Sequence, residues 1–405
     1  MKVLAIRQTI AEALEFANAL EHVTAQDLAA FVAGSQALTI EQIRLDSLAR
    51  MELLIALETE HGVAVTPAAF ERFESLAALA DAIATGAFAA AASVSPDDPA
   101  PWRQDRRQPR IARLYERLTR HPRTANQLNQ LHIALENRIT PAERDGLWAA
   151  MRSAGAEAAT TWLEGLCEQA GIAGQAATAP DFSRQSLGWG LRLYQGGGDP
   201  ADKVLILAFS TRGERLMMPM PSLLQQLDSQ RFDLLLVPDR SRSSYERGLP
   251  PLAESTQTLI EYLARLPVLK AYGSVRSMGS SGGGYAALLA AATLGLEMGV
   301  SFAGRFPAGR HWLRLQRVWA LRQARSRSGG APLLAVFGGP KTRDRKFAQA
   351  FVRGVGARSL AIDYVEGEAG HLILAEVLER GHLETLIGQT ICAEASAHWP
   401  EALRL

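Results

Sequence analysis

The chain has 405 residues, 47% of them hydrophobic and 21% charged, which is enough apolar material for two cores in one polypeptide. Its formal net charge of +1 hides an asymmetry: residues 1–90 hold twelve acids and five bases, a net of −7, so the remainder carries +8. The modest total charge and the lack of a base-stacking module argue against nucleic-acid binding, and no apolar run is long enough to span a bilayer. Two distant cysteines, Cys167 and Cys392, exclude a disulfide framework and a thiolate metal site and are read as reduced cytosolic thiols.

The amino end reads as an amphipathic helix with Glu12 and Glu15, not a signal peptide, which predicts a cytoplasmic protein. Residues 1 to about 88 read as a small acidic helical bundle. Leu45-Asp46-Ser47-Leu48 opens a helix with Leu48, Met51, Leu54, Ile55 and Leu57 on one broad apolar face. Asp46 caps that helix and Ser47 stands in its first turn. A second amphipathic stretch begins at Pro67, with Phe70, Phe73, Leu76, Leu79 and Ile83 as its apolar members. An ordinary capped helix is the competing reading.

The stretch LDSLARMELLIALETEHGVAVTP resembles the second helix of acyl and peptidyl carrier proteins, with Arg44 where that family usually has glycine. The resemblance implies a four-helix carrier bundle and a covalent 4′-phosphopantetheine on Ser47. It also implies a phosphopantetheinyl transferase, an acyl-loading enzyme or biosynthetic modules, and an acyl thioester as partners.

Residues 89–109, rich in Ala, Ser, Pro and Asp and then Arg, have no hydrophobic period and read as a flexible linker. From Ile111 the patterning is helical, and Thr140-Pro141-Ala142-Glu143 is a helix start. Residues 110–195 are therefore read as a helical spacer.

From 196 to 405 short apolar runs alternate with helix signals. Lys203–Phe209, Phe232–Pro238, Pro332–Phe337 and Leu360–Val365 suit buried strands of a doubly wound, mostly parallel sheet, whose chemistry belongs at the strands' carboxyl ends. Between them Gly279-Ser280-Ser281-Gly282-Gly283 fits the GxSxG turn, in which a sharp strand-to-helix corner exposes a serine hydroxyl. Glycines two places before and after Ser281 meet the steric demand of the bend, and the Gly282 amide would face a developing oxyanion. A plain glycine-rich loop or phosphate nest is the alternative.

A serine hydroxyl needs a base, and the base an orienting carboxylate. His371 follows the last of these runs in a Gly-rich loop, and Asp344 lies in the loop after the Pro332–Phe337 run, with Asp363, Glu366 and Glu368 as rival acids. The order Ser281, Asp344, His371 resembles the α/β-hydrolase family over residues 200–392. That resemblance implies Ser281 as nucleophile, His371 as general base and acid, and Asp344 as orienting acid. A second oxyanion donor is expected from the Ser210 or Thr211 amide. Arg305 to Arg327, with seven arginines and no acid, corresponds to the segment that often forms a lid in this family; a lid that docks the acidic carrier helix and an amphipathic helix with a solvated face are both open readings.

Together these features predict a carrier-fused serine thioesterase or acyltransferase of thiotemplated biosynthesis. Two other readings remain open: an esterase or deacylase on a free small molecule with the carrier as a recruitment tag, and a non-catalytic carrier scaffold.

Overall fold

The computed structural model describes residues 2–16, 23–43, 53, 54, 57, 63, 65, 67–70, 72–86, 110–119, 125–169, 180–211, 215–239, 243–250, 252–306, 311–327, 329–338, 343–363, 370–394 and 399–405. Ser47 with Asp46 and Leu48, the linker 89–109, Arg212, Glu366 and Glu368 lie outside the described residues.

The chain divides into two compact units, one of residues 1–136, 143–163 and 186–190, the other of 137–142, 164–185 and 191–405. The amino-terminal part of the first holds α1 (Lys2–Phe16), α2 (Ala25–Ala33), α3 (Ile40–Ile43), α4 (Pro67–Phe70) and α5 (Leu76–Ala84). Thr24 and Asp27 form a reciprocal capping box at the start of α2, and Gly34 closes it in the left-handed conformation at φ 86°. Ile10, Leu14, Phe31, Phe70 and Leu79 share one buried core with Leu53, Leu54 and Leu57. The apolar face expected of the helix that follows Ser47 is thus buried at Leu54 and Leu57, the positions where it is described.

Next come α6 (Arg110–Thr119), α7 (Ala125–Glu136), α8 (Pro141–Ser153) and α9 (Glu157–Gln169). Helix does not continue to 195: Ser183–Gly188 is strand β1 and Leu191–Gln195 is strand β2. Between the two strands Trp189 and Gly190 both have positive φ, 54° and 78°, the mark of a two-residue hairpin turn whose twist matches its strands.

The carboxyl-terminal unit contains β3 (Val204–Phe209), α10 (Met220–Leu224), β4 (Phe232–Val237), α11 (Thr256–Arg265), α12 (Pro267–Ala271), β5 (Ser274–Ser280), α13 (Gly283–Leu294), β6 (Met298–Phe302), α14 (His311–Arg327), β7 (Leu333–Gly338), α15 (Arg343–Val355), β8 (Arg358–Asp363), α16 (Ile373–Glu379), α17 (Leu383–Gln389) and β9 (Ala402–Arg404). Its sheet runs β1-β2-β4-β3-β5-β6-β7-β8-β9. Pairing is antiparallel between β2 and β4 and parallel from β4 through β9. This is the doubly wound α/β-hydrolase fold. Strands β3, β4 and β7 are apolar almost throughout because helices cover both faces of a parallel sheet. Order reverses at β3, which pairs with β4 on one side and β5 on the other, and sheets of this kind carry their chemistry at the carboxyl ends beside such a reversal. Among the described residues no helix is long and apolar enough to cross a membrane.

Strand β5 is more polar than a central strand usually is, and partners elsewhere in the fold account for its Arg276 and Ser277. Arg276 is 6% exposed, and its guanidinium donates to Glu297 at 2.8 and 2.9 Å and to the Ile391 and Ala393 carbonyls, both at 2.7 Å. Ser277 donates to the Ala287 carbonyl at 2.7 Å. Buried polar groups are tolerated when fully paired, and these are.

Candidate active site

Ser281 stands between β5 and α13 with a left-handed φ of 47°, the strained corner expected of an exposed nucleophile. The flanking glycines are required by contact. A methyl on Gly279 would come within 2.2 Å of the Gly283 carbonyl oxygen, and one on Gly283 within 2.3 Å of the Phe209 carbonyl oxygen. The Ser281 amide donates to the Phe302 carbonyl at 2.9 Å, and the Ser281 carbonyl accepts from the Arg305 and Gly284 amides at 2.9 and 3.1 Å. The corner is therefore held by β6 and by the first turn of α13.

Ser281 Oγ lies 3.1 Å from His371 Nε2, and His371 Nδ1 lies 2.7 Å from Asp344 Oδ2. A carboxylate only accepts, so Nδ1 carries the ring proton and bare Nε2 is left to accept from the serine hydroxyl. Asp344 is 2% exposed, whereas the His371 side chain is 30% exposed, open enough to meet a substrate. Arg305 Nε donates to the other carboxylate oxygen, Asp344 Oδ1, at 3.2 Å.

Asp344 sits in the first turn of α15, not in the loop expected for it. Two forces hold it there: helix N-termini favour a carboxylate, and two cationic or N–H donors satisfy both its oxygens. Of its rivals, Asp363 ends β8 as an exposed residue whose carbonyl accepts from the Leu405 amide.

The oxyanion side departs from expectation. The Ser210 amide donates to the Val237 carbonyl at 3.1 Å and the Thr211 amide to the Arg215 carbonyl at 2.8 Å, so both N–H groups expected to face the substrate are spent on backbone partners. The Gly282 amide shows no such commitment among the described residues. It opens α13, where the helix dipole adds to its pull on negative charge.

The basic stripe is also partly committed. Arg317 pairs with Glu246, Arg322 Nε donates to the Gly354 carbonyl at 2.9 Å, and Arg325 donates to the Val355 carbonyl. Less of it remains for an acidic partner than the count of arginines implies. Tyr285, at the start of α13, is 4% exposed, and burial pushes its hydroxyl well above the ordinary range, so it stays protonated and donates to the Arg317 carbonyl at 3.4 Å. Cys392 is likewise pushed up, to about 12, by burial against the opposing pull of Arg276 and Arg231, which makes it an unreactive thiol.

Residues 38–83 match the phosphopantetheine attachment site family, whose members carry 4′-phosphopantetheine covalently on a serine. Only Ser47 and Ser75 are serines in that span, and the Ser75 hydroxyl is already used, capping α5 by accepting from the Ala78 amide at 3.2 Å. No curated protein matches the chain. Among solved structures it is similar to a dienelactone hydrolase from Anabaena variabilis at 16% identity, covering 53% of this chain and 97% of that one with a TM-score of 0.35. The 2,6-dihydroxy-pseudo-oxynicotine hydrolase is 14% identical over 72% of this chain and 91% of its own, at a TM-score of 0.34. A thioesterase domain from the curacin biosynthetic pathway is 14% identical over 52% of this chain and 99% of its own, at 0.32.

Proposed function

We propose that the chain is a carrier-fused serine hydrolase of the thioesterase or acyltransferase kind, in which Ser281 takes an acyl group and passes it to water or another nucleophile. The observation that carries this reading is the unbroken relay from Ser281 Oγ through His371 to Asp344, at 3.1 and 2.7 Å. The reading divides the chain into a carrier at 1–88, a linker at 89–109, a spacer that begins at 110, and the hydrolase.

His371 Nε2 removes the proton as Ser281 Oγ attacks an acyl carbonyl. The imidazolium that forms is held by Asp344, and the Gly282 amide donates to the oxyanion. His371 then gives its proton to the departing sulfur or oxygen, leaving an acyl-serine. An entering water or acceptor hydroxyl, deprotonated by the same nitrogen, attacks the acyl carbonyl and releases the acyl group as His371 returns the proton to Ser281 Oγ. Ser47 fits the attachment site, because Ser75, the other serine of the matched span, is engaged in capping a helix. When bound there, 4′-phosphopantetheine supplies a thiol that holds an acyl group as a thioester. Both modules being in one chain favours a carrier-borne substrate over a free ester.

A fluorophosphonate probe tests the chemistry. The parent chain is expected to gain one adduct, mapped to Ser281, while Ser281→Ala gains none and His371→Ala reacts at least a hundredfold more slowly. Equal labelling of the parent and Ser281→Ala removes the proposed nucleophile.

A further inference from the structure

With the Ser210 and Thr211 amides committed, the oxyanion needs a donor besides Gly282. The geometry points to the Ser244 hydroxyl as that donor, an inference that rests on Ser281 being the nucleophile.

Ser244 lies in the loop after β4, 5% exposed, and its side chain fills the space beside Gly282. A methyl on Gly282 would meet Ser244 Oγ at 2.6 Å, its Cβ at 3.1 Å and its Cα at 3.4 Å. The hydroxyl therefore stands next to the α-carbon one bond from the amide that faces the developing charge. Gly282 is left without a side chain at the one place where a side chain would displace that hydroxyl.

The backbone there is strained. Ser244 and Tyr245 are consecutive non-glycine residues with φ of 56° and 65°, a conformation that persists only where surroundings over-determine it and that concentrates at functional sites. The surroundings do so here. The Ser244 amide donates to the fully buried Asp239 carboxylate at 2.7 Å, and the Asp239 amide donates to Ser210 Oγ at 3.0 Å. The Tyr245 hydroxyl lies 2.6 Å from the Val237 carbonyl and 3.2 Å from that of Ser210, and its ring packs edge-on against Phe209 at 5.4 Å. The ends of β3 and β4 are thus tied together, and the knot presents one small hydroxyl to the first residue after the nucleophile. Ser210 serves as part of the support. The hydroxyl donates its hydrogen bond to the oxyanion and returns to its resting partners when the carbonyl re-forms, so no proton changes hands.

Stopped-flow acylation by a p-nitrophenyl ester tests this, comparing the parent with Ser244→Ala, Ser244→Gly and Ser281→Ala. Glycine removes the hydroxyl and relaxes the left-handed backbone, so it separates donor from scaffold. Both Ser244 variants are expected to acylate about a hundredfold more slowly, as for loss of one oxyanion donor, with KM within about threefold and the melting temperature of Ser244→Gly not below that of the parent. Rates within about twofold of the parent in both variants, or a loss in Ser244→Ala that Ser244→Gly restores, overturn the donor role and leave the Ser281 assignment standing. A parent no faster than Ser281→Ala overturns both.

Discussion

The Asp344 carboxylate is divided between two partners, and their burial ranks them. Oδ2 accepts from His371 at 2.7 Å inside a site where Asp344 is 2% exposed; Oδ1 accepts from Arg305, whose side chain is 40% exposed, at 3.2 Å. The buried bond fixes the imidazole tautomer, and its loss should be severe. Asp344→Asn is expected to lower kcat about ten-thousandfold, the cost of holding the ring in the wrong tautomer. The Arg305 bond is screened by water and belongs with surface pairs, so Arg305→Met should cost less than about tenfold. Steady-state kinetics on one ester substrate decides. A larger effect from Arg305→Met than from Asp344→Asn would contradict the ranking. At this scale the GxSxG turn was readable because its requirement is local: glycines on both sides of Ser281, each pressed against a backbone carbonyl. The commitment of the Ser210 amide was not readable, because Val237 becomes its partner only when β3 and β4 lie side by side.

Element by element, legibility followed how much of each element's stability lies within it. Strands β3, β4 and β7 announce themselves as apolar runs because both sheet faces are covered. Strand β5 is obscured by Arg276, whose acceptors at Ile391 and Ala393 are more than a hundred residues away in the sequence. The five-residue β6, Met-Gly-Val-Ser-Phe, is too short and too mixed to stand out, and the β1–β2 hairpin hides in a region whose preceding pattern is helical. The helices after residue 110 hold their own titratable core. The His132 ring stacks on Trp162 at 3.9 Å, Tyr115 Oη lies 2.9 Å from its Nε2, and burial lowers its pKa from 6.5 to about 4. Because the unfolded chain takes up this proton first as pH falls, the stability conferred by the neutral ring is complete above about pH 6.5 and is lost as pH falls toward 4. Thermal melts between pH 7 and pH 4 should show a steep fall in the melting temperature of the parent chain and a flatter one in His132→Phe. Parallel slopes would remove His132 as the cause.

For the whole molecule, the chain joins an acidic module of net −7 to a remainder of +8, and a phosphopantetheine attachment site at residues 38–83 to an α/β-hydrolase fold. On the proposed reading, tethering gives the Ser281 site a high effective concentration of whatever the carrier in the same chain bears, so coupling in one chain needs no strong docking surface. That suits an α14 whose arginines are partly engaged with their own unit. The most direct measurement is intact mass over time after loading by a phosphopantetheinyl transferase and an acyl coenzyme A. The acyl-phosphopantetheine mass on Ser47 is expected to fall back to that of the bare arm in the parent chain and to persist in Ser281→Ala. Equal decay in the two proteins, or no addition at Ser47, would contradict the account.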